Sequence, residues 1–305
     1  MNFTVRVPGS CGELIQGSIG GKAFLVTCPI NKYSMAGTGS YFSYLPRKTH
    51  LARLKTMEYI KARSRAKIYL LTQLPPGKGM ASSSADIASV CQITALSCGR
   101  TLTEEEISAI SVSIEPTDGV FCRGIVRYSH LTGEVLERFD TVPAMRLLML
   151  DMGGKVDTLG FNRRRDLGRL YTQNENDIKK ALHLLRRGFA ENDIAAIGQA
   201  AAISAYANQS ILRKHCLEDI MMTAERYGAA GVNAAHSGTV VGVMFAKDCE
   251  SGLIDSCRDE ILSICRGVRC LGTADLVPGG MEIKKHSTAP NSAERIDPSD
   301  DDAEI

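Results

Sequence analysis

The stretch Leu74–Asp86, LPPGKGMASSSAD, carries the residue types that grip a phosphate. Pro75 and Pro76 end the apolar run before it, and Gly77 and Gly79 admit positive φ and a close backbone approach to a ligand. Ser82, Ser83 and Ser84 then open a helix, whose first N–H groups lie at the positive end of the helix dipole, where anions bind. The serines can cap that turn, and Lys78 adds a mobile cation. The GxxxxGK[ST] spacing of the Walker loop is absent. A second stretch, Ser111–Phe121 (SVSIEPTDGVF), sets Glu115 and Asp118 three residues apart across a turn forced by Pro116 and Gly119. Phosphoryl transfer to a hydroxyl needs a divalent ion on the phosphates and a group that orients or deprotonates the alcohol. Carboxylate oxygens suit magnesium. A third stretch, Gly231–Phe245 (GVNAAHSGTVVGVMF), places the small-residue turn Ala234–Gly238 before a strand, with Ser237 and Thr239 as donors and His236 read as a structural histidine. Each stretch also has a plainer reading: a glycine-rich turn before a capped helix, a type I turn decorated by acids, and a tight turn before a strand.

In wording and order these stretches resemble the GHMP small-molecule kinases. PPGKGMASSSA is similar to the PPxxGLGSSAA loop of that family, and EPTDG follows it by about forty residues. The resemblance implies ATP as the nucleotide, bound along Leu74, Pro75, Pro76, Gly77, Lys78, Gly79, Met80 and Ala81 and through Ser82, Ser83 and Ser84. Ser83 matches the second serine of the family loop, so the resemblance implies magnesium on Ser83 and Glu115. It makes Asp118 the catalytic group facing the acceptor hydroxyl, an aspartate that homoserine kinases lack. Pro8, Gly9, Gly12 and Glu13 match the family's PGKxxxxGE motif only with a shortened spacer, and Ser10 stands where some members carry a lysine. Glu13 is carried over as a substrate-binding residue, as are Ser237 and Gly238 at the position of the family's third motif.

The fold so implied is α+β in two lobes, ribosomal-protein-like at the N-terminus and ferredoxin-like at the C-terminus. The activity implied is transfer of the γ-phosphoryl group of ATP to a small alcohol, with homoserine kinase as one alternative within the family. A sensor that binds nucleotide or amino acid without turnover is the alternative from another class. The joint presence of Ser83, Glu115 and Asp118 argues against it, because binding alone needs no acid opposite the hydroxyl. An amino-acid acceptor would present an ammonium and a carboxylate. In the polar loop Lys155–Asn162, Asp157 is the candidate for the ammonium, beside Thr158. Arg163, Arg164 or Arg165 is the candidate for the carboxylate; the plainer reading is an N-cap and an exposed basic turn.

These residues need elements to hold them. Phe3–Pro8 alternates as a strand that Pro8–Gly12 breaks, and Glu13–Gln16, Lys22–Ile30 and Lys32–Met35 continue as strands. The basic run within Pro46–Lys67 has helical spacing and reads as a solvated face, with electrostatic steering of an anionic nucleotide as the alternative. Ala66–Gln73 is a strand, Ser83–Cys98 a helix ended by Gly99, and Thr103–Ile110 a helix with Thr103 and Glu106 spaced as a capping box. A hairpin follows at Gly124–Ser129 and Val135–Phe139, and Pro143 marks a lobe boundary. Arg146–Asp151 is a buried strand, Arg163–Gly228 is helical with breaks near Gly188, Gly198 and Asn208, and Thr239–Phe245 is a strand. Glu250–Cys265 then reads as a helix and Val268–Thr273 and Met281–Lys284 as strands. Residues 1–143 are expected to bind nucleotide, 144–285 to receive substrate, and 286–305 to form a disordered acidic tail.

A chain of 305 residues with net charge +2 and no tryptophan gives no argument for nucleic acid or an anionic membrane. Ten cysteines without a CxxC pair argue against zinc and disulfides and for a reducing cytoplasm. The N-terminus lacks the apolar core of a signal peptide, and no apolar run is long enough to span a bilayer. The partners expected are small molecules; oligomeric state is not legible.

Overall fold

The computed structural model describes residues 2–39, 45–154, 160 and 164–286. Its spine is a long antiparallel hairpin, β1 (Asn2–Ile19) and β2 (Lys22–Thr38), paired from Thr4↔Gly37 to Ile19↔Lys22. The break expected at Pro8–Gly12 does not occur. Register shifts between Pro8 and Gly9, Ser10 and Glu13, and Glu13 and Ile15 absorb the irregular residues, so β1 bends without ending.

The hairpin joins everything else into one sheet. On one side β3 (Ile68–Thr72) and β4 (Ile125–Tyr128) pair with β2, and β5 (Val135–Phe139) pairs with β4. On the other, Glu13 of β1 pairs with Ala234 of β7 (Gly231–Ala234). Beyond β7 lie β8 (Val240–Ala246), β6 (Met145–Asp151) and β9 (Arg269–Asp275). The strand β10 (Glu282–His286) returns to the start of β1. Pro143 lies in the link between β5 and β6.

Helices cover this sheet. Those of the first half are α1 (Arg47–Tyr59), α2 (Ser82–Leu96) and α3 (Glu104–Val112). The sequence of α2 is apolar or small nearly all round, and accordingly Ile87, Ala88, Val90, Cys91, Ile93 and Ala95 are fully buried. Thr103 and Glu106 close the expected capping box at the start of α3. The second half carries α4 (Leu167–Glu191), α5 (Ile194–Ala207), α6 (Leu217–Arg226) and α7 (Ser251–Ile264). The breaks expected near Gly188 and Gly198 are absent. Both glycines lie inside helices because neighbours press on them: a Cβ on Gly198 would sit 2.2 Å from Ala230 O, and one on Gly188 would sit 2.7 Å from Ile197 Cγ1. The chain turns instead at Asn192, in the left-handed region, and Asp193 caps α5.

The larger apolar core runs from the hairpin under α2 and across to α4 and α5, and a second lies between β6–β8 and the pair α6 and α7. All ten cysteines are free thiols. No helix among the described residues is long and apolar enough to cross a membrane. Asp157, Thr158, Arg163 and the tail after His286 lie outside the described residues.

Candidate active site

The N-terminus of α2 has no side-chain cap. Ala81 occupies the N-cap position with φ 53°, and its carbonyl accepts the first helical bond from Ala85 N at 2.9 Å. Of the serines expected to cap the turn, Ser83 and Ser84 are turned to the two acids instead. Ser83 Oγ donates to Glu115 Oε1, and Ser84 Oγ donates to Asp118 Oδ2 at 3.4 Å while accepting from Asp118 N at 3.1 Å. The N–H groups of the first turn are therefore left without a capping side chain.

The loop before this helix is clamped from two sides. From β1, Ser10 N donates to Met80 O at 3.0 Å and Gly12 N to Gly79 O at 3.1 Å. From the turn before β8, Thr239 N and Val240 N both donate to Lys78 O, at 2.8 and 2.9 Å. Contact is close enough to dictate residue type. Gly79, at φ +82°, would place a Cβ 2.3 Å from Ala235 Cβ, and Gly238 would place one 2.3 Å from Gly79 Cα. Pro8–Glu13 and Ala234–Gly238, far apart in the chain, thus meet on the loop.

Lys78 is not the mobile cation expected. Its ammonium is 2.7 Å from Asp151 Oδ2 and donates to Gly154 O at 2.7 Å. Asp151 is buried at the end of β6 and needs a counter-charge. Burial raises its pKa, but Lys78 and the Thr239 hydroxyl outweigh that and hold it below the usual range.

Glu115, 5% exposed, also faces a cation: its Oε2 lies 2.5 Å from Lys48 Nζ at the start of α1. The basic run is therefore not wholly a solvated face, since Arg47 and Lys48 line the same cleft as the acids. Asp118 is pushed up to about 7 by burial and then by the charges of Glu13 and Glu115, with Ser84 opposing. Asp86 is pushed up to about 6 by burial, with Ser34 and Thr72 opposing; its Oδ1 accepts from Ser34 Oγ at 2.5 Å. Glu13 Oε2 accepts from His236 N at 2.9 Å and lies 3.2 Å from Nδ1. That ring nitrogen is also 2.9 Å from Ala234 O, and Nε2 is 3.0 Å from Ser204 Oγ. With acceptors on one side and a hydroxyl on the other, the partners assign the proton to Nδ1.

Glu13, Lys48, Asp86, Glu115 and Asp118 line a cleft of about 550 Å³, with Leu74, Pro76, Gly77, Met80, Ala81, Ser82 and Ser237 also in its wall. Gly238 supports the loop from behind. Arg164 donates to Asp166 and to Ile211 O, and Arg165 is exposed. Lys48 and Asp86 escaped sequence reasoning: Lys48 sits in a run of like residues, and Asp86 closes the loop string without a spacing signal. So did buried His130, pushed down to about 4, and Lys214, pushed down to about 8. Burial is the main cause in both, with Glu13 opposing.

The model of the GHMP kinases N terminal domain matches residues 49–124, the segment from α1 through the EPTDG turn. An L-threonine kinase of Salmonella typhimurium (strain LT2) is 30% identical over 247 residues, covering 78% of this chain and 81% of that protein. An L-threonine kinase of Citrobacter freundii is 32% identical over 250 residues, covering 80% and 86%. Among solved structures, a homoserine kinase from Cytophaga hutchinsonii superposes with a TM-score of 0.65 at 14% identity, over 93% of this chain and 97% of that one.

Proposed function

Because the chain belongs to the GHMP kinases, we propose that its cleft transfers the γ-phosphoryl group of ATP to the side-chain hydroxyl of L-threonine, giving O-phospho-L-threonine and ADP. The two L-threonine kinases that match about four fifths of the chain support the acceptor. The donor is supported by the uncapped N-terminus of α2 and the loop Leu74–Ser84, which offer backbone N–H groups to the phosphates.

One observation carries the chemistry. At that helix end, Ser83 meets Glu115 and Ser84 meets Asp118, one serine to each acid of the EPTDG turn. The Ser83 hydroxyl and the Glu115 carboxylate are adjacent hard oxygen donors, and they would hold magnesium. When bound, the ion neutralises charge developing on the β- and γ-phosphates. Lys48 balances Glu115 and brings a cation to the same wall. Asp118, with its proton affinity near neutrality, accepts the hydroxyl proton as the substrate oxygen bonds to the γ-phosphorus and the bond to ADP breaks. Glu13 and Ser237 also line the cleft, where they are assigned to the acceptor. The product would serve as precursor of the aminopropanol linker of cobalamin, made in a cytoplasm that keeps the free cysteines reduced.

A coupled ADP-release assay with L-threonine, L-serine and L-homoserine, with and without chelator, tests this reading. L-threonine should give the highest kcat/KM, and chelation should abolish turnover. Preference for L-homoserine would make the chain a homoserine kinase. ATP binding without turnover of any acceptor would make it a sensor.

A further inference from the structure

Away from the cleft, two helix ends bring thiols together. Cys216 immediately precedes α6 and Cys265 immediately follows α7. With Asp219, in the first turn of α6, they form a cluster whose two Sγ atoms and one carboxylate oxygen all lie within 4.8 Å of one another. Neighbouring residues hold the two segments side by side, with His215 Nε2 at 3.3 Å from Arg266 O. Cys265 N donates to Ile261 O at 2.9 Å, so the last turn of α7 fixes its place.

The three side chains are not spent on the fold in the ordinary way. A residue at the N-cap normally turns its side chain to the first N–H groups of the helix, yet the Cys216 thiol makes no such bond. Its φ of 59° is one that glycine adopts freely, so the backbone by itself does not ask for cysteine. Asp219 makes no ion pair among the described residues, although Arg213 and Lys214 line the same cavity. Cys265 is 1% exposed within the second core. Burial and then the Cys216 thiol push its own thiol up to about 12, so as it stands it is no nucleophile.

Two sulfurs and a carboxylate oxygen suit a borderline-soft divalent ion, zinc above all, and suit magnesium poorly. With Zn–S bonds of about 2.3 Å, two sulfurs on a tetrahedral ion stand about 3.8 Å apart. The cluster reaches that spacing by closing about an ångström at most. A disulfide would have to bring the same sulfurs to about 2.05 Å. Cys216 and Asp219 also line an open cavity of about 630 Å³ that gives an ion access from solvent, and this cavity shares no residue with the cleft at Asp118.

We propose that Cys216, Cys265 and Asp219 form a zinc site, completed by water, that ties the start of α6 to the end of α7. Both thiols give up their protons as the sulfur–metal bonds form. The missing CxxC pair, which argued against zinc in the sequence, excludes only sites whose cysteines lie close together in the chain. The site is separate from the magnesium of the proposed function and does not depend on that reading.

Cobalt(II) is the probe, added to the reduced, metal-free full chain without ATP. It should bind at about one equivalent and give thiolate-to-cobalt charge transfer in the near ultraviolet with tetrahedral bands in the visible. Zinc should bleach both and magnesium neither. Cys216→Ser/Cys265→Ser should abolish the charge transfer. Cys216→Ser alone, at a half-buried position, should lose most of it and guards against damage to the core. Asp219→Asn should keep the charge transfer and weaken cobalt binding about tenfold or more. Cys249→Ser/Cys270→Ser, which removes two partly exposed thiols outside the cluster, should bind as wild type does. One equivalent of zinc should raise the melting temperature of wild type and leave that of Cys216→Ser/Cys265→Ser unmoved. No charge transfer in wild type, or a band that survives the double substitution, would overturn the site. So would a thiol titration in glutathione-reduced buffer that finds two fewer than the ten thiols, with Cys216 bonded to Cys265, because the pair would then be a disulfide. None of these readouts involves turnover, so failure of the kinase reading leaves them standing.

Discussion

Asp118 is the residue where burial and chemistry coincide. Its carboxyl lies among Glu13, Glu115 and Ser84, and the desolvation that raises its proton affinity also suits it to take a proton near neutral pH. Asp118→Asn keeps the hydrogen bonds of the turn and removes the base. It should lower kcat by about a hundredfold or more while leaving ATP affinity nearly unchanged. A base must be ionised to act, so kcat/KM of wild type should rise with pH and level off above about 7, and that limb should vanish in the variant. Activity within a few-fold of wild type in Asp118→Asn would remove the residue from the mechanism. The residue scale also separates two lysines of similar promise. Lys78 lies inside the phosphate loop yet is spent on Asp151, whereas Lys48, in a basic run read as a solvated face, reaches Glu115.

At the scale of elements, the phosphate loop is shaped by what presses on it. Its backbone bonds run to β1 on one side and to the turn before β8 on the other, so its conformation does not depend on its own residues alone. The turn holds a single glycine, and that glycine is the one pressed against the loop backbone. In Gly238→Ala the new methyl meets Gly79 Cα, a backbone atom that cannot rotate away. The loop must shift, and the ATP Kd should rise about tenfold or more, equivalent to about 1.4 kcal/mol, as read by nucleotide titration. Gly252, with nothing near its Cβ direction, provides the control: Gly252→Ala should bind ATP as wild type does.

At the scale of the molecule, a single sheet spans both halves of the chain through the Glu13–Ala234 pair, and the site lies where they meet. Enclosing acids there has a cost that pH can expose. Asp118 and Asp86 have raised folded-state values of about 7 and about 6, so both are neutral in folded and unfolded chains well below pH 4. As pH rises, the unfolded chain ionises first, and the stability these two groups contribute is lost through their folded values. His130, lowered to about 4, acts in the opposite sense between pH 4 and its ordinary value. The clean measurement is therefore a difference. The stability of Asp86→Asn/Asp118→Asn relative to wild type, from denaturant midpoints without ligand, should increase steadily from pH 4 to pH 7 and then flatten. A constant difference across that range would mean that the acids are hydrated in the folded protein.

Local chemistry made much of this protein legible in its sequence. The proline stop and glycine turns of LPPGKGMASSSAD, the EPTDG turn and the Thr103–Glu106 capping box depend on residues within a few positions of one another, so their meaning survives without a fold. The resemblance carried by the same strings pointed to the α+β kinase architecture. Tertiary structure decided the rest, because whether a charge is free, paired or stranded is a property of what covers it. It spent Lys78 on Asp151, turned Lys48 to Glu115, drew β1 through Pro8–Gly12 and brought Cys216 to Cys265. Each of those outcomes depends on burial and on groups distant in the chain, for which no local pattern of residues carries a signal.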